Sequence, residues 1–211
     1  MDRNYEIASP LQNTGRVRND SFVLELFKES NALLEGHFLL SSGLHSNRYL
    51  QSALVLQDAR NAEKLGKALA AKFPGGVDVV LSPALGGLII GHEVARAKKA
   101  RAIFAEKDAA GIPVLRRGFS IGQGEKVLVI EDVITTGLST GEVVKLAREA
   151  KAEIAGIGAI VNRSGKKLGE IFPEIKALFS LLDLDVKSWK AEDCELCKKG
   201  IPAVKPGSRN K

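Results

Sequence analysis

The stretch Val127–Thr140, VLVIEDVITTGLST, constrains the fold of this 211-residue chain more than any other. Val127, Leu128, Val129 and Ile130 are apolar and β-prone without polar alternation, the pattern of a strand covered on both faces. They run into two adjacent acids, Glu131 and Asp132. A turn rich in hydroxyls and glycine follows (Thr135, Thr136, Gly137, Ser139, Thr140), and then a helical pattern begins. A buried strand delivering two carboxylates beside free N–H groups at a helix N-terminus suits a phosphorylated sugar. The acids can hold ribose hydroxyls, and the loop and helix start can hold the phosphate. The plainer alternative is a strand ending in solvated acids with an ordinary Ser/Thr cap. Neither a Walker A Gly-Lys-Ser/Thr ending nor a GxGxxG fingerprint occurs in the stretch.

The rest of the chain supplies partners for such a strand. Residues 1–19 are polar and non-periodic and are expected to form a flexible arm. An amphipathic helix is predicted from about Asp20, short β structure over Leu33–Gln51 with a turn at Ser41-Ser42-Gly43, and a helix over Asp58–Lys72. Strands are then predicted at Val77–Leu81, Arg101–Ala105, Lys126–Ile130, Ile154–Val161 and Leu178–Leu184. Helices fall at Gly86–Lys98 and Ser139–Lys151, and Lys107–Gly124 reads as a mobile loop with a hairpin. Strands alternating with helices predict an α/β fold with a mainly parallel sheet and ligands at the carboxyl ends of its strands. With 5% aromatic and 45% hydrophobic residues, the core must be aliphatic.

A net charge of +6 points to an anionic partner. The basic residues are scattered and not interleaved with aromatics, which favours a small phosphorylated substrate over nucleic acid. No apolar leader segment is evident, and Val77–Ala95, the most apolar region, is broken by Asp78, Pro83, His92 and Glu93. Neither a signal peptide nor a membrane span is expected, and a cytoplasmic location follows as the default.

The strand–acids–loop–helix stretch closely resembles the phosphoribosyl pyrophosphate (PRPP) motif of type I phosphoribosyltransferases. Three further segments narrow the resemblance to the orotate-using branch. Leu34–Gln51, LEGHFLLSSGLHSNRYLQ, is similar to that branch's N-terminal segment, and Ser82–Gly87, SPALGG, to its pyrophosphate loop. Val161-Asn162-Arg163 closes a strand where the branch places an arginine for the orotate carboxylate. The match runs from about Asp20 to Leu184, and the ending WxxxDCxLCxxGxPxxKPGSR is similar to one bacterial group.

The resemblance implies a type I phosphoribosyltransferase fold: a central, mainly parallel sheet flanked by helices, with a small N-terminal hood. After the arm, residues 20–211 would form a single domain, divided into a hood at about 20–57, a core at about 58–184 and an extension at 185–211. It implies conversion of orotate and PRPP to orotidine 5′-monophosphate and pyrophosphate, in pyrimidine synthesis. The implied catalytic residues are Glu131, Asp132 and Lys107. PRPP would be bound by these three together with Val133, Ile134, Thr135, Thr136, Gly137, Leu138 and Ser139. Orotate would meet Thr135 and Arg163, whose planar fork suits a carboxylate. One Mg²⁺ is implied as cofactor, held mainly by substrate oxygens and water, so no protein metal cluster is expected. A homodimer is implied, with a mobile loop reaching the partner's site.

Some positions depart from the better-known pattern. Glu106-Lys107 stands where Arg-Lys is usual, the loop has no histidine, and Ser41 and Gly86 replace lysines. Arg116 and Arg117 are the candidates to restore the missing charge. His37 and His45 fall near the orotate side and are read as structural or surface residues. Cys194-x-x-Cys197 has the spacing of half a zinc knuckle or of a redox pair. With no second pair and no histidine nearby in sequence, an intrachain zinc site is not expected. Pairing across a dimer is one alternative, and reduced thiols packing the tail is the preferred one. Two rivals stand beside the orotate assignment: the same fold acting on a purine or other base, and a non-catalytic PRPP sensor that binds nucleic acid.

Overall fold

A computed structural model describes residues 6–7, 21–40, 43–184 and 186–205 of the chain. The N-terminal part runs β1 (Glu6–Ile7), α1 (Ser21–Glu29), β2 (Leu33–Leu39), β3 (His45–Leu50), α2 (Ser52–Leu56) and α3 (Ala59–Ala71). Alternation follows: β4 (Val79–Pro83), α4 (Gly87–Lys98), β5 (Arg101–Lys107), β6 (Pro113–Leu115), β7 (Lys126–Ile134), α5 (Leu138–Glu149), β8 (Glu153–Asn162), α6 (Leu168–Ile171) and β9 (Leu178–Asp183). The described tail adds β10 (Ser188–Trp189) and α7 (Glu195–Lys198).

The six-stranded sheet has the order β6-β5-β4-β7-β8-β9 and is parallel except for β6, which folds back antiparallel on β5. Apolar residues of β7 serve both faces. Leu128 and Ile130 join a core with Leu65 and Leu69 of α3 and Ile90 and Val94 of α4. Val127 and Val129 join the opposite core with Val143, Val144 and Ala147 of α5. All four strand residues are fully buried, each contributing about 1.5–3 kcal/mol by leaving water. Their period-two alternation into two helical layers explains why this run carries no polar residues. The helices start and stop by local chemistry. The Asp58 carboxylate accepts from the Arg60 N–H at 2.9 Å to cap α3, and Lys99 closes α4 in the left-handed conformation.

The strand order sets the place for a ligand. From β4 the chain moves outward to β5, then crosses back past β4 to β7 and continues the other way to β8 and β9. The sheet therefore has its topological switch between β4 and β7, where the loops leaving the two strands diverge and open a crevice. β7 is longer than the sequence predicts. It runs through Glu131 and Asp132 to Ile134, because Glu131, Val133 and Ile134 pair with Ala159, Val161 and Asn162 of β8. Backbone pairing is indifferent to the acids that made Ile130 look like its end.

A second, antiparallel sheet of order β1-β2-β3-β10 stands beside the first. The turn residues Ser41 and Ser42, and the expected arm apart from Glu6–Ile7, lie outside the described residues. Glu6 and Ile7 do not fit a free arm, since they pair with Glu35 and Leu34. Such edge pairing uses only backbone groups and leaves no side-chain pattern to read. The tail strand β10 pairs with His45 and Ser46 of β3, and this overturns one expectation. Histidines lie far from Cys194 and Cys197 in sequence, yet folding brings His37 and His45 beside both cysteines.

Gly156 on β8 sits where β8 meets the α3–β4 connection. A Cβ there would come within 2.6 Å of the Ala177 carbonyl oxygen and of the Phe73 ring. We expect Gly156→Ala to destabilise the protein by about 1–3 kcal/mol through overpacking. Urea unfolding should show a lower midpoint with an unchanged slope; an unshifted midpoint would mean that the neighbours yield without cost.

Candidate active site

A cavity of about 290 Å³ opens at the switch point, lined by the ends of β4, β7 and β8 and by β3 of the small sheet. Glu131 and Asp132 enter it from β7, Gly86 from the loop after β4, Thr135 and Ser139 from the loop before α5, Tyr49 from β3, and Arg163 from the end of β8. A larger cavity of about 620 Å³ around Lys166–Glu170 and Leu178–Ser180 contains none of the predicted site residues.

Glu131 is 5% exposed. Its carboxylate accepts from the Ser139 hydroxyl and from the Asp132 N–H, both at 3.2 Å. Burial first, and the Asp132 charge second, hold its carboxyl well above the ordinary range. Gly86 makes room for Asp132, since a Cβ at that position would lie 2.5 Å from the Asp132 Oδ1.

The loop after β7 turns at Gly137, in the left-handed region at φ +80°, and starts α5 without a side-chain cap. A Cβ on Gly137 would also meet Ile171 Cγ2 at 2.5 Å. Glycine lets the turn pass under α6, and the Leu138 N–H at the start of α5 donates to the Thr136 hydroxyl at 3.4 Å. Ile134 is buried in the apolar core, so only its backbone is available to a ligand. Leu138 is exposed.

Arg163 is 7% exposed, and among the described residues its guanidinium makes one hydrogen bond, to the Ser46 hydroxyl at 3.3 Å. Ser46 in turn donates to the Lys187 carbonyl at 3.0 Å. The Arg163 N–H donates to the Ile134 carbonyl at 2.9 Å, which ties the arginine to the end of β7. Burial pulls the guanidinium below its ordinary range, and it keeps donors free for the cavity. Beside it, burial and then the Asp132 charge push the Tyr49 hydroxyl up.

The cavity thus gathers Glu131, Asp132, Val133, Thr135, Ser139 and Arg163 of the predicted set. Lys107 lies outside its lining, with its ammonium 3.1 Å from Glu142 of α5. Arg117 pairs with Glu106 at 2.7 Å and lies over the Phe104 ring. Neither basic residue meets the cavity in this arrangement. Sequence reasoning missed Tyr49 and Ser46 as site residues, whereas Gly86 lay within the expected pyrophosphate loop. Tyr49 and Ser46 lay inside the Leu34–Gln51 resemblance, but a single sequence offers no signal for their contact with Arg163, 117 positions away in the case of Ser46.

Comparison with known proteins agrees with this layout. The phosphoribosyl transferase domain family matches residues 51–192. The chain is 49% identical over 194 residues to a protein of Caldicellulosiruptor bescii named orotate phosphoribosyltransferase, covering 92% of this chain and all of that one. A protein of the same name from Pelotomaculum thermopropionicum is 50% identical over 188 residues, covering 89% of this chain and 96% of that one. The crystal structure of orotate phosphoribosyltransferase from Aeropyrum pernix shares the fold, with a TM-score of 0.64 over 77% of this chain and 93% of that one, at 24% identity. The chain belongs to the phosphoribosyltransferase family and, within it, to the orotate phosphoribosyltransferases.

Glu131 makes stability depend on pH. An unfolded glutamate ionises near pH ~4.3, whereas the folded one keeps its proton to higher pH. Between the two values the native state holds more protons, so stability falls as pH rises through the folded pKa. We expect Glu131→Gln to remove this loss. Its melting temperature relative to wild type should rise between about pH 5 and about pH 8 in ligand-free protein. A constant difference across that range would show that Glu131 is not desolvated.

Proposed function

We propose that this chain transfers the 5-phosphoribosyl group of PRPP to orotate, forming orotidine 5′-monophosphate and pyrophosphate in pyrimidine synthesis. The observation that carries the proposal is one cavity lined by two adjacent carboxylates and by a buried guanidinium that makes one hydrogen bond among the described residues. The near-complete coverage of relatives named orotate phosphoribosyltransferase supports the same reading.

In this reading Glu131 and Asp132 hold the ribose hydroxyls. The negative charge of Asp132 favours the positive charge that develops on the sugar as the bond to pyrophosphate lengthens. The backbone of 134–139, with the hydroxyls of Thr135, Thr136 and Ser139, holds the 5′-phosphate at the start of α5. Arg163 takes the orotate carboxylate in its planar fork, and Thr135 lies close to the base. These groups bind and orient, and need form no covalent bond with the substrate. The cavity offers carboxylate and hydroxyl oxygens from Glu131, Asp132, Thr135 and Ser139, the donor chemistry that suits Mg²⁺. The ion would be held mainly by substrate oxygens and water beside these acids, and when bound it neutralises charge on the departing pyrophosphate.

Residues 20–57 act as hood, 58–184 as core and 185–211 as extension of one domain. Lys107 contacts pyrophosphate after leaving Glu142. A cytoplasmic homodimer, with the 107–124 loop reaching the partner's site, belongs to the same reading. Among the described residues no helix is long and apolar enough to cross a membrane.

Loss of orotate absorbance on mixing protein, orotate, PRPP and Mg²⁺ is the direct test. Turnover with a purine but not with orotate would sink the substrate assignment. No turnover with any base, together with salt-sensitive nucleic-acid binding, would favour a regulator. Arg163→Ala should raise the KM for orotate at least about tenfold while leaving PRPP binding nearly unchanged, since truncating a buried charged hydrogen-bond partner is costly. Equal losses for both substrates would remove its assigned role.

A further inference from the structure

The C-terminal segment has almost no core of its own. Of residues 186–205, only Val186 and Cys194 are buried. Its regular structure amounts to β10, one 3-10 turn (Ala191–Asp193) and α7. Backbone bonds lay its end along β2: the Leu39 N–H donates to the Val204 carbonyl, and the Val204 N–H to the His37 carbonyl, both at 2.8 Å. A segment this poor in apolar burial needs another tie to offset its ordering entropy.

Four side chains converge where that tie would be. One ring nitrogen each from His37 on β2 and His45 at the start of β3, and both sulfurs of Cys194 and Cys197, lie within 4.8 Å of one another. Cys194 is fully buried and both histidines nearly so. His37 Nε2 is 3.4 Å from Cys194 Sγ and 3.8 Å from Cys197 Sγ, and His45 Nδ1 is 3.3 Å from Cys197 Sγ. A tetrahedral ion with bonds of about 2.0–2.3 Å sets neighbouring nitrogen and sulfur ligands roughly 3.3–3.8 Å apart. These three contacts already have that spacing.

The hydrogen-bonding pattern points the same way. His37 Nδ1 lies 2.7 Å from the Ile201 carbonyl, which can only accept, so Nδ1 carries the proton and Nε2 presents a lone pair inward. The two rings meet at 2.7 Å, His37 Nε2 to His45 Nδ1. A hydrogen bond from His45 would account for that one distance, but not for two thiols set against the same nitrogens. Around an ion the nitrogens would separate by about 0.6 Å, a small ring movement.

We propose that His37, His45, Cys194 and Cys197 bind one zinc ion as a Cys₂His₂ site that staples the C-terminal tail to the small sheet. Mixed sulfur and imidazole donors select zinc over magnesium or calcium. Four protein ligands in a buried setting leave no position for a substrate, so the site is structural. The Ile201 carbonyl orients His37 from behind, as outer-shell acceptors do for zinc-bound histidines. Binding releases the two thiol protons and changes no oxidation state.

The test uses the untagged full-length protein, produced with zinc in the medium and purified without chelators. Elemental analysis should find about one zinc per chain. Cobalt(II) replacement should give the intense visible bands of a tetrahedral site and sulfur-to-cobalt charge transfer in the near ultraviolet. Cys194→Ser and Cys197→Ser should each lower bound zinc at least about tenfold and speed proteolysis of the tail. Because a variant can fail to fold, the wild type is followed in parallel. Its thiols should resist a thiol reagent until zinc is stripped, and added zinc should restore protection. Zinc-free protein with two reactive thiols, a Cys194–Cys197 disulfide in the purified protein, or zinc retained by the double Cys→Ser variant would each overturn the proposal.

Discussion

Charge held out of water without a partner governs the switch point of this sheet. Glu131 is buried at the end of β7 next to Asp132, and its counterweights are one N–H and one hydroxyl. Arg163 lines the same cavity and is buried as well, and among the described residues its guanidinium makes one hydrogen bond, to a serine hydroxyl. Among the described residues neither forms an ion pair, so both retain unmet electrostatic demand. The apolar strands on both sides of β7 provide the stability that tolerates this. A ligand with positive character at one end and a carboxylate at the other relieves both costs at once, which is how a site of few residues can select a pair of substrates.

The fold serves that arrangement by dividing labour between layers. Aliphatic strands fix the backbone from which the acids project, and α3, α4 and α5 seal the two faces. The loops after β4 and β7 part in opposite directions and leave the opening. Gly86 and Gly137 are the points where side chains would close it, against Asp132 and against α6. The small antiparallel sheet contributes the remaining wall through Tyr49 and holds Arg163 through Ser46.

Legibility in the sequence followed the range of the interactions. Val127–Ile130 announced a doubly covered strand because its pattern is local, and the alternation of strands and helices announced the parallel sheet. Glu131, Asp132, Thr135 and Ser139 were visible because they are neighbours along the chain. Arg163 was visible through resemblance alone, since nothing local marks a strand-end arginine as buried. Lys107 could be named, but its pairing with Glu142 depends on how β5 packs beside α5. The convergence of His37 and His45 on Cys194 and Cys197 was hidden for the same reason. It arises from a two-residue strand pairing and from backbone contacts with Val204, neither of which leaves a periodic trace.

The hydrogen bond from the Arg163 N–H to the Ile134 carbonyl has a metrical consequence. It joins the residue proposed to hold the base to the last residue of the strand proposed to hold the sugar. Neighbouring strands of a sheet lie about 4.8 Å apart. The backbone separation between Arg163 and Ile134 is therefore set by the sheet's own lattice and not by loop motion. Loops can open and close over such a gauge without altering its length.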